Sequence, residues 1–155
     1  MAVKNKNSNE IIKNKKARFD YEIIETFEAG IVLRGTEVKS LREKRVSIQE
    51  AYAKIIKNEI FVTGLTISHY ENGNRFNHEP DRDRKLLLHR QEIKRLIGKL
   101  KEKGLTLVPL SLYFKTGKIK MGLALAKGKA VYDKRKVIQQ RDLDRDMKRE
   151  MKRYA

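Results

Sequence analysis

Residues 105–128 read LTLVPLSLYFKTGKIKMGLALAKG. Two apolar runs flank Thr116-Gly117, a pair suited to a tight turn, so the segment reads as two strands folded on one another. Pro109 has no N–H to give a sheet, so its strand should be an edge or contain a bulge. Upstream, RFDYEIIETFEAGIVLRG (18–35) sets Phe19, Tyr21 and Ile23 in alternation with Asp20 and Glu22. That period of two marks a half-buried strand. Glu28-Ala29-Gly30 reads as a tight turn and Ile31-Val32-Leu33 as the returning strand, which makes a hairpin. SIQEAYAKIIKNEIFVTGLTI (47–67) adds two strands about a turn at Asn58-Glu59. The tally of six strands predicts a mainly β fold with flanking helices: an OB-like antiparallel six-stranded barrel with two to three helices.

In HRQEIKRLIGKLKEKG (89–104), Ile93, Leu96, Ile97 and Leu100 fall at i, i+3, i+4 and i+7, one apolar stripe of a helix, with Gly104 placed to end it. In TEVKSLREK (36–44), Val38 and Leu41 lie three apart among charges, a short surface helix with Thr36 as its N-cap. SHYENGNRFNHEPDRDRK (68–85) has little apolar material and reads as a long exposed loop. In VIQQRDLDRDMKREMKRYA (137–155), Leu143, Met147, Met151 and Tyr154 share one helical face and the rest is charge. Nothing in the sequence packs on this helix, so alone in water it is marginal and is expected to form on a partner. There is no internal repeat.

Charge sorts the chain into parts. The net charge is +17, with 39% hydrophobic and 37% charged residues. Residues 1–18 carry six Lys/Arg against one Glu, and residues 127–155 carry eleven against five Asp/Glu, so about two thirds of the excess lies on the two ends. The expected organisation is a basic flexible arm (1–16), a barrel (17–127) and a basic tail (128–155). Such a balance favours polyanionic partners, nucleic acid before an anionic membrane surface. No apolar stretch is long enough to span a bilayer, and the basic N-terminal stretch lacks the apolar region of a secretory signal. The chain has no cysteine, which excludes disulfides and thiolate metal sites. A cytoplasmic protein is the simplest expectation.

No catalytic constellation emerges. His69, His78 and His89 have no zinc-protease spacing, and His78 and His89 with Glu79 and Asp81 read as loop polarity and a helix start. Ser40, Ser47, Ser68 and Ser111 lack a nucleophile elbow. Neither a metal nor a cofactor is expected. Binding signals are stronger. Lys/Arg interleave with aromatics and glycines in YFKTGKIKMG and AKGKAVYDKR. Cations neutralise phosphates and aromatic rings stack on unpaired bases. For Phe114 packing on the barrel is the simpler role. For Tyr132, outside the barrel beside Asp133-Lys134-Arg135, binding is. Arg82, Arg84 and Lys85 form a basic run, weak as a motif by itself.

Taken in order, NKKARFDYEIIETFEAGIVLRGTEVKSLRE, DRDRKLLLHRQEI, LVPLSLYFKTGKIKMGLALAKGK and YDKR resemble the small protein B (SmpB) family, the SsrA-binding proteins of bacterial trans-translation. The likeness runs from about residue 14 to the C-terminus. It implies an OB-like barrel that binds the tRNA-like end of transfer-messenger RNA (tmRNA) and brings it to the A site of a stalled ribosome. There the nascent chain is tagged for degradation. Elongation factor Tu acts indirectly, through the aminoacylated RNA, and one protein monomer serves each RNA. The resemblance places Glu28, Leu87 and Lys118 at tmRNA-binding positions, with Arg84, Lys85 and Lys120 beside them. Tyr132, Asp133, Lys134 and Arg135 match the segment that meets the decoding centre and small-subunit rRNA, and Gly128 the hinge before the tail. The tail helix face is Leu143, Met147, Met151 and Tyr154. Lys129-Ala130-Val131 departs from a more basic stretch in some relatives. A carboxylate such as Glu28 in an RNA interface is expected to accept hydrogen bonds from base amino or 2′-OH groups; the alternative is that it orients a neighbouring cation. The alternative function is a generic translation-associated OB-fold RNA-binding protein.

Overall fold

Thr116 and Gly117 both take positive φ, 49° and 75°, and the chain reverses on them as the sequence requires. The computed structural model describes residues 9–72, 77–102, 104–129 and 131–153. The order is β1 (Glu10–Lys13), α1 (Lys15–Asp20), β2 (Tyr21–Ile31), α2 (Gly35–Arg42), β3 (Val46–Ser47), β4 (Tyr52–Ile56), β5 (Glu59–Thr63), β6 (Thr66–Ile67), β7 (Arg84–Leu87), α3 (Arg90–Leu100), β8 (Leu105–Lys115), β9 (Lys118–Gly128) and α4 (Val131–Arg153). Six strands form an antiparallel ring in the order β8-β4-β5-β7-β2-β9, with β9 returning to β8. Closure removes the open edges that an exposed sheet would offer to other chains. β1 adds to β8 beside β4, and β3 and β6 make a separate two-stranded ribbon.

The interior is built by alternation. Ala29, Ile60, Val62, Leu86, Leu107, Leu112, Met121 and Leu123 are buried, and Leu41 of α2 and Leu96 of α3 join the same core. Each fully buried Leu or Ile contributes roughly 1.5–3 kcal/mol relative to exposure. The stripe on α3 is present, with Ile93 and Leu100 packed against the core beside Leu96. Pro109 sits at a bulge: it faces Leu123, yet Ser111 faces Gly122, so one residue is extra. The bulge leaves carbonyls off the ladder, and buried Asn14 collects them. Its backbone N–H donates to Leu110 O at 2.7 Å and its side-chain amide to Pro109 O at 2.9 Å.

The structure corrects several sequence expectations. Glu28-Ala29-Gly30 is not a turn, because β2 continues through it to Ile31 and Ala29 is fully buried opposite Met121. Gly30 is small for another reason: a Cβ there would stand 3.3 Å from Leu87 Cβ on the adjoining strand. Ile31-Val32-Leu33 therefore leads into α2 rather than back along a hairpin. Thr36 lies inside α2, and the cap is Arg34, whose N–H is taken by the Glu37 carboxylate at 2.8 Å. The β4–β5 turn falls one residue earlier, on Lys57-Asn58, both at positive φ. The cap of α3 is Lys101, and Gly104, at φ 85°, stands just before β8. Residues 10–13, read as part of a flexible arm, form β1, because Ile11 finds a buried site. The tail helix starts at Val131, six residues before the sequence pattern begins. Its first turns are tied to α1 by Lys134 Nζ to Asp20 at 3.2 Å and by the Arg141 guanidinium over the Phe19 ring.

The loop before β7 is also not simply exposed, since His78 and Arg84 within 68–85 are buried. Arg84 and Glu37 are both fully out of solvent and form an ion pair. The guanidinium also donates to Leu65 O at 2.6 Å, Arg82 O at 3.0 Å and Pro80 O at 2.9 Å, so its charge is well satisfied. The Glu37 carboxylate adds a bond from Arg82 and the Arg34 N–H. Burial pushes the Glu37 carboxyl up, but the bonds from Arg82, Arg34 and Arg84 outweigh it and hold the group below its ordinary range.

Removing one partner of a buried pair leaves the other charge uncompensated, at a cost of about 3–5 kcal/mol. Glu37→Gln is therefore expected to lower the urea midpoint sharply at neutral pH. Because the folded-state carboxyl is depressed, its contribution is present above the ordinary Glu pKa and is lost as pH falls through the lower folded value. The stability gap between wild type and Glu37→Gln should accordingly narrow in acid. A gap constant from neutral pH down to acid would contradict this assignment.

Candidate RNA interface

Successive side chains of a strand face opposite sides of a sheet, so the buried residues tell which neighbours face out. Ala29 is buried, which turns Glu28 and Gly30 outward; Ile119 and Met121 are buried, which turns out Lys118, Lys120 and Gly122. Leu112 does the same for Ser111 and Tyr113, and Leu86 for Lys85 and Leu87. The register then sets these residues side by side. Leu87 faces Gly30, Gly30 faces Lys120, and Lys120 faces Tyr113. Glu28 faces Gly122, and Lys118 faces Lys115. Five sequence-predicted residues, Glu28, Lys85, Leu87, Lys118 and Lys120, thus share one outer face across β7, β2 and β9.

Arg84 does not belong to that face. It alternates with Lys85, points into the protein and is spent on Glu37, so it cannot reach RNA in this fold. The sequence run Arg82-Asp83-Arg84-Lys85 gave no sign of which cation turns inward.

Glu28 is held in a clamp the sequence did not reveal. The Tyr113 hydroxyl donates to its Oε2 at 2.6 Å, and Lys115 Nζ lies 3.0 Å from Oε1. These two bonds, Tyr113 first, lower the Glu28 carboxyl below its ordinary value. Tyr113 in turn is pushed up well beyond the usual phenol range, by burial first and then by its bond to Glu28. Of the two roles open to Glu28, orientation of a neighbouring cation is the one the geometry displays. Residue 122 is glycine where space is short: a Cβ there would stand 3.0 Å from Ser111 Oγ, with Tyr113 Cε1 at an ordinary contact distance of 3.9 Å. Gly30, with Leu87 Cβ at 3.3 Å and Lys120 Nζ at 3.7 Å from the place of its missing Cβ, lets those two groups close over the sheet. Tyr113, Lys115, Gly30 and Gly122 were missed as site residues, although alternation counted from Leu112 would have turned Tyr113 outward. Phe114 packs against the core.

The tail residues lie at the other end of β9. Gly128 is the last residue of that strand, faces Tyr21, has open space where a Cβ would go and no positive φ, so the fold does not demand glycine there. Tyr132, Asp133, Lys134 and Arg135 occupy the first turns of α4, whose described side chains begin at Lys134. Leu143, Met147 and Met151 are exposed by 58, 60 and 71%, an apolar stripe with no cover. Tyr154 lies outside the described residues. His78 spends both ring nitrogens, on Thr36 Oγ1 at 2.9 Å and Ile67 O at 2.8 Å, and His89 caps α3. Among the described residues no three His, Asp or Glu side chains converge on a metal-sized site, and no helix is long and apolar enough to cross a membrane.

The chain is similar to known proteins in both sequence and fold. The family model described as "SmpB protein" matches residues 11–153. An SsrA-binding protein of Syntrophobacter fumaroxidans is 57% identical over 143 residues, covering 92% of this chain and 89% of that protein. One from Trichodesmium erythraeum is 53% identical over 156 residues, covering 99% of this chain and all of the relative, 100%. Among solved structures, a chain from "tmRNA-SmpB: a journey to the center of the bacterial ribosome" superposes with a TM-score of 0.65 at 50% identity, covering 77% of this chain and 85% of that one.

Tyr113→Phe removes the larger of the two bonds on Glu28. The Glu28 carboxyl should then titrate nearer its ordinary value in a carbon-detected NMR titration, while the ring keeps its place. An unshifted Glu28 would mean that Lys115 alone sets its charge.

Proposed function

The chain belongs to the SmpB family, and from that premise we propose that it binds the tRNA-like domain of tmRNA and delivers it to the A site of stalled ribosomes in trans-translation. The observation that carries the reading is the convergence of Glu28, Lys85, Leu87, Lys118 and Lys120 on one face. Cations there meet phosphates, and exposed Leu87 offers apolar surface to an unstacked base or ribose. The protein acts as a non-catalytic RNA-binding factor in the cytoplasm, as a monomer, one per RNA. Elongation factor Tu joins through the aminoacylated RNA and supplies the GTP hydrolysis.

The second surface is α4. Lys120 and Gly128 are eight residues apart on one strand, which separates the face from the tail by roughly 26 Å. A body that holds tmRNA at one end can therefore present Tyr132, Asp133, Lys134 and Arg135 to the decoding centre at the other. The exposed Leu143, Met147 and Met151 stripe would be covered only on the ribosome. A generic OB-fold RNA-binding protein would share the basic charge and the barrel without needing both surfaces.

Affinity for the isolated tRNA-like domain, measured across a salt series against elongator tRNA and a plain duplex, tests the first surface. Binding should outlast both competitors at physiological salt. Equal, salt-labile binding to all three would favour the generic reading. Truncation from residue 133 onward should leave that affinity unchanged and abolish tagging on stalled ribosomes. Normal tagging by the truncated chain would refute the two-surface arrangement.

A further inference from the structure

Beside the candidate face runs a groove of about 620 Å³, between the β4–β5 turn, β7 and α3. Its size falls within the roughly 300–1,000 Å³ range of small-molecule sites. Lys57 projects from the turn, and Arg90 and Lys94 stand one helical turn apart on α3. Among the described residues none of these three enters an ion pair, whereas Lys85 at the rim is held by Glu59 at 3.2 Å. Four cations against one carboxylate make the groove anionophilic. Its wall is apolar: Leu87 is 53% exposed, and Ile97 is half-buried four residues beyond Ile93 on α3.

We propose that this groove is a further RNA site that takes one unstacked nucleotide, its base against Leu87 and Ile97 and its flanking phosphates on Lys57 and Lys94. Unpaired cations that remain exposed have no folding partner to satisfy, and an apolar wall beside them matches the flat, weakly hydrated face of a base. The choice of RNA over an acidic peptide rests on the function proposed above. Lys85 and Leu87 belong both to the face and to the groove, so an RNA lying on one continues into the other without leaving the protein.

The test is fluorescence anisotropy of the full chain with the tRNA-like domain of tmRNA over a salt series. The substitutions are on exposed or half-exposed side chains, and circular dichroism checks their fold. The double variant Lys57→Ala/Lys94→Ala should weaken binding about tenfold and reduce the slope of log affinity against log salt by roughly 1.5, as expected for two lost phosphate contacts. Ile97→Gln should weaken binding several-fold with the slope unchanged, because it removes no charge. A photo-crosslinker at position 97 should mark a single nucleotide. If Lys120→Ala weakens binding and all the groove variants are silent, the groove is not an RNA site. If the double variant lowers the slope but Ile97→Gln is silent and the crosslinks scatter, the groove only attracts phosphate and the nucleotide site is refuted. If Lys120→Ala is silent as well, the RNA face itself is wrong and the groove falls with it.

Discussion

The placement of the candidate face depends on one buried ion pair that takes no part in it. Glu37 and Arg84 are both fully out of solvent. Strand β7 has only four residues, RKLL, followed by Leu88. Three leucines in a row do not define a register, since a slip of one residue would simply exchange one leucine for another in the core. A slip by one flips every side chain to the other face. Arg84 resolves the degeneracy, because its charge has a single buried site that satisfies it. With Arg84 inward, Leu86 is inward and Lys85 and Leu87 must face out. The same guanidinium gathers carbonyls of Leu65, Pro80 and Arg82, so it also fixes the path of the chain into β7.

That dependence explains what could and could not be read from the sequence. The β8–β9 hairpin was legible because its signals are local: a turn pair that tolerates positive φ, and a proline that forces a bulge. The α3 stripe was legible for the same reason. Gly30 misled because glycine has two uses. It permits turns, and it permits close approach; here Leu87 needs the space. Arg84 misled because charge alone does not say which side of a sheet a residue faces, and its partner Glu37 is far away in sequence. The diagonal from Tyr113 to Glu28 crosses β9, a three-strand coincidence that no single segment contains. The convergence of Glu28, Leu87 and Lys118 was anticipated by family likeness rather than by any rule of spacing.

The tail shows a different limit. Its residues are poor in apolar surface, so the helix has little of its own to stabilise it. In the structure the helix is seeded from the body: Lys129 N–H donates to Asp20 O at 2.9 Å, and Lys134 and Arg141 reach α1. Nucleation is the costly step of helix formation, and a preformed first turn removes much of that cost. The charged remainder can then extend at little expense while leaving Leu143, Met147 and Met151 uncovered.

A barrel ladder and a seeded helix together make a spacer of defined length. Strands β8 and β9 are paired along nearly their whole extent, so the distance between the outer face and the root of α4 is set by backbone hydrogen bonds rather than by a linker. A flexible joint would let the two surfaces bind independently, each at the cost of its own orientation. On the function proposed above, a stiff ladder would let occupancy of the first surface bring the end of β9, and with it the tail, toward the second. In this view Asn14, which satisfies the bulge in mid-ladder, serves the function as much as the fold. It keeps the two ends of the spacer in one orientation despite the proline that interrupts the strand.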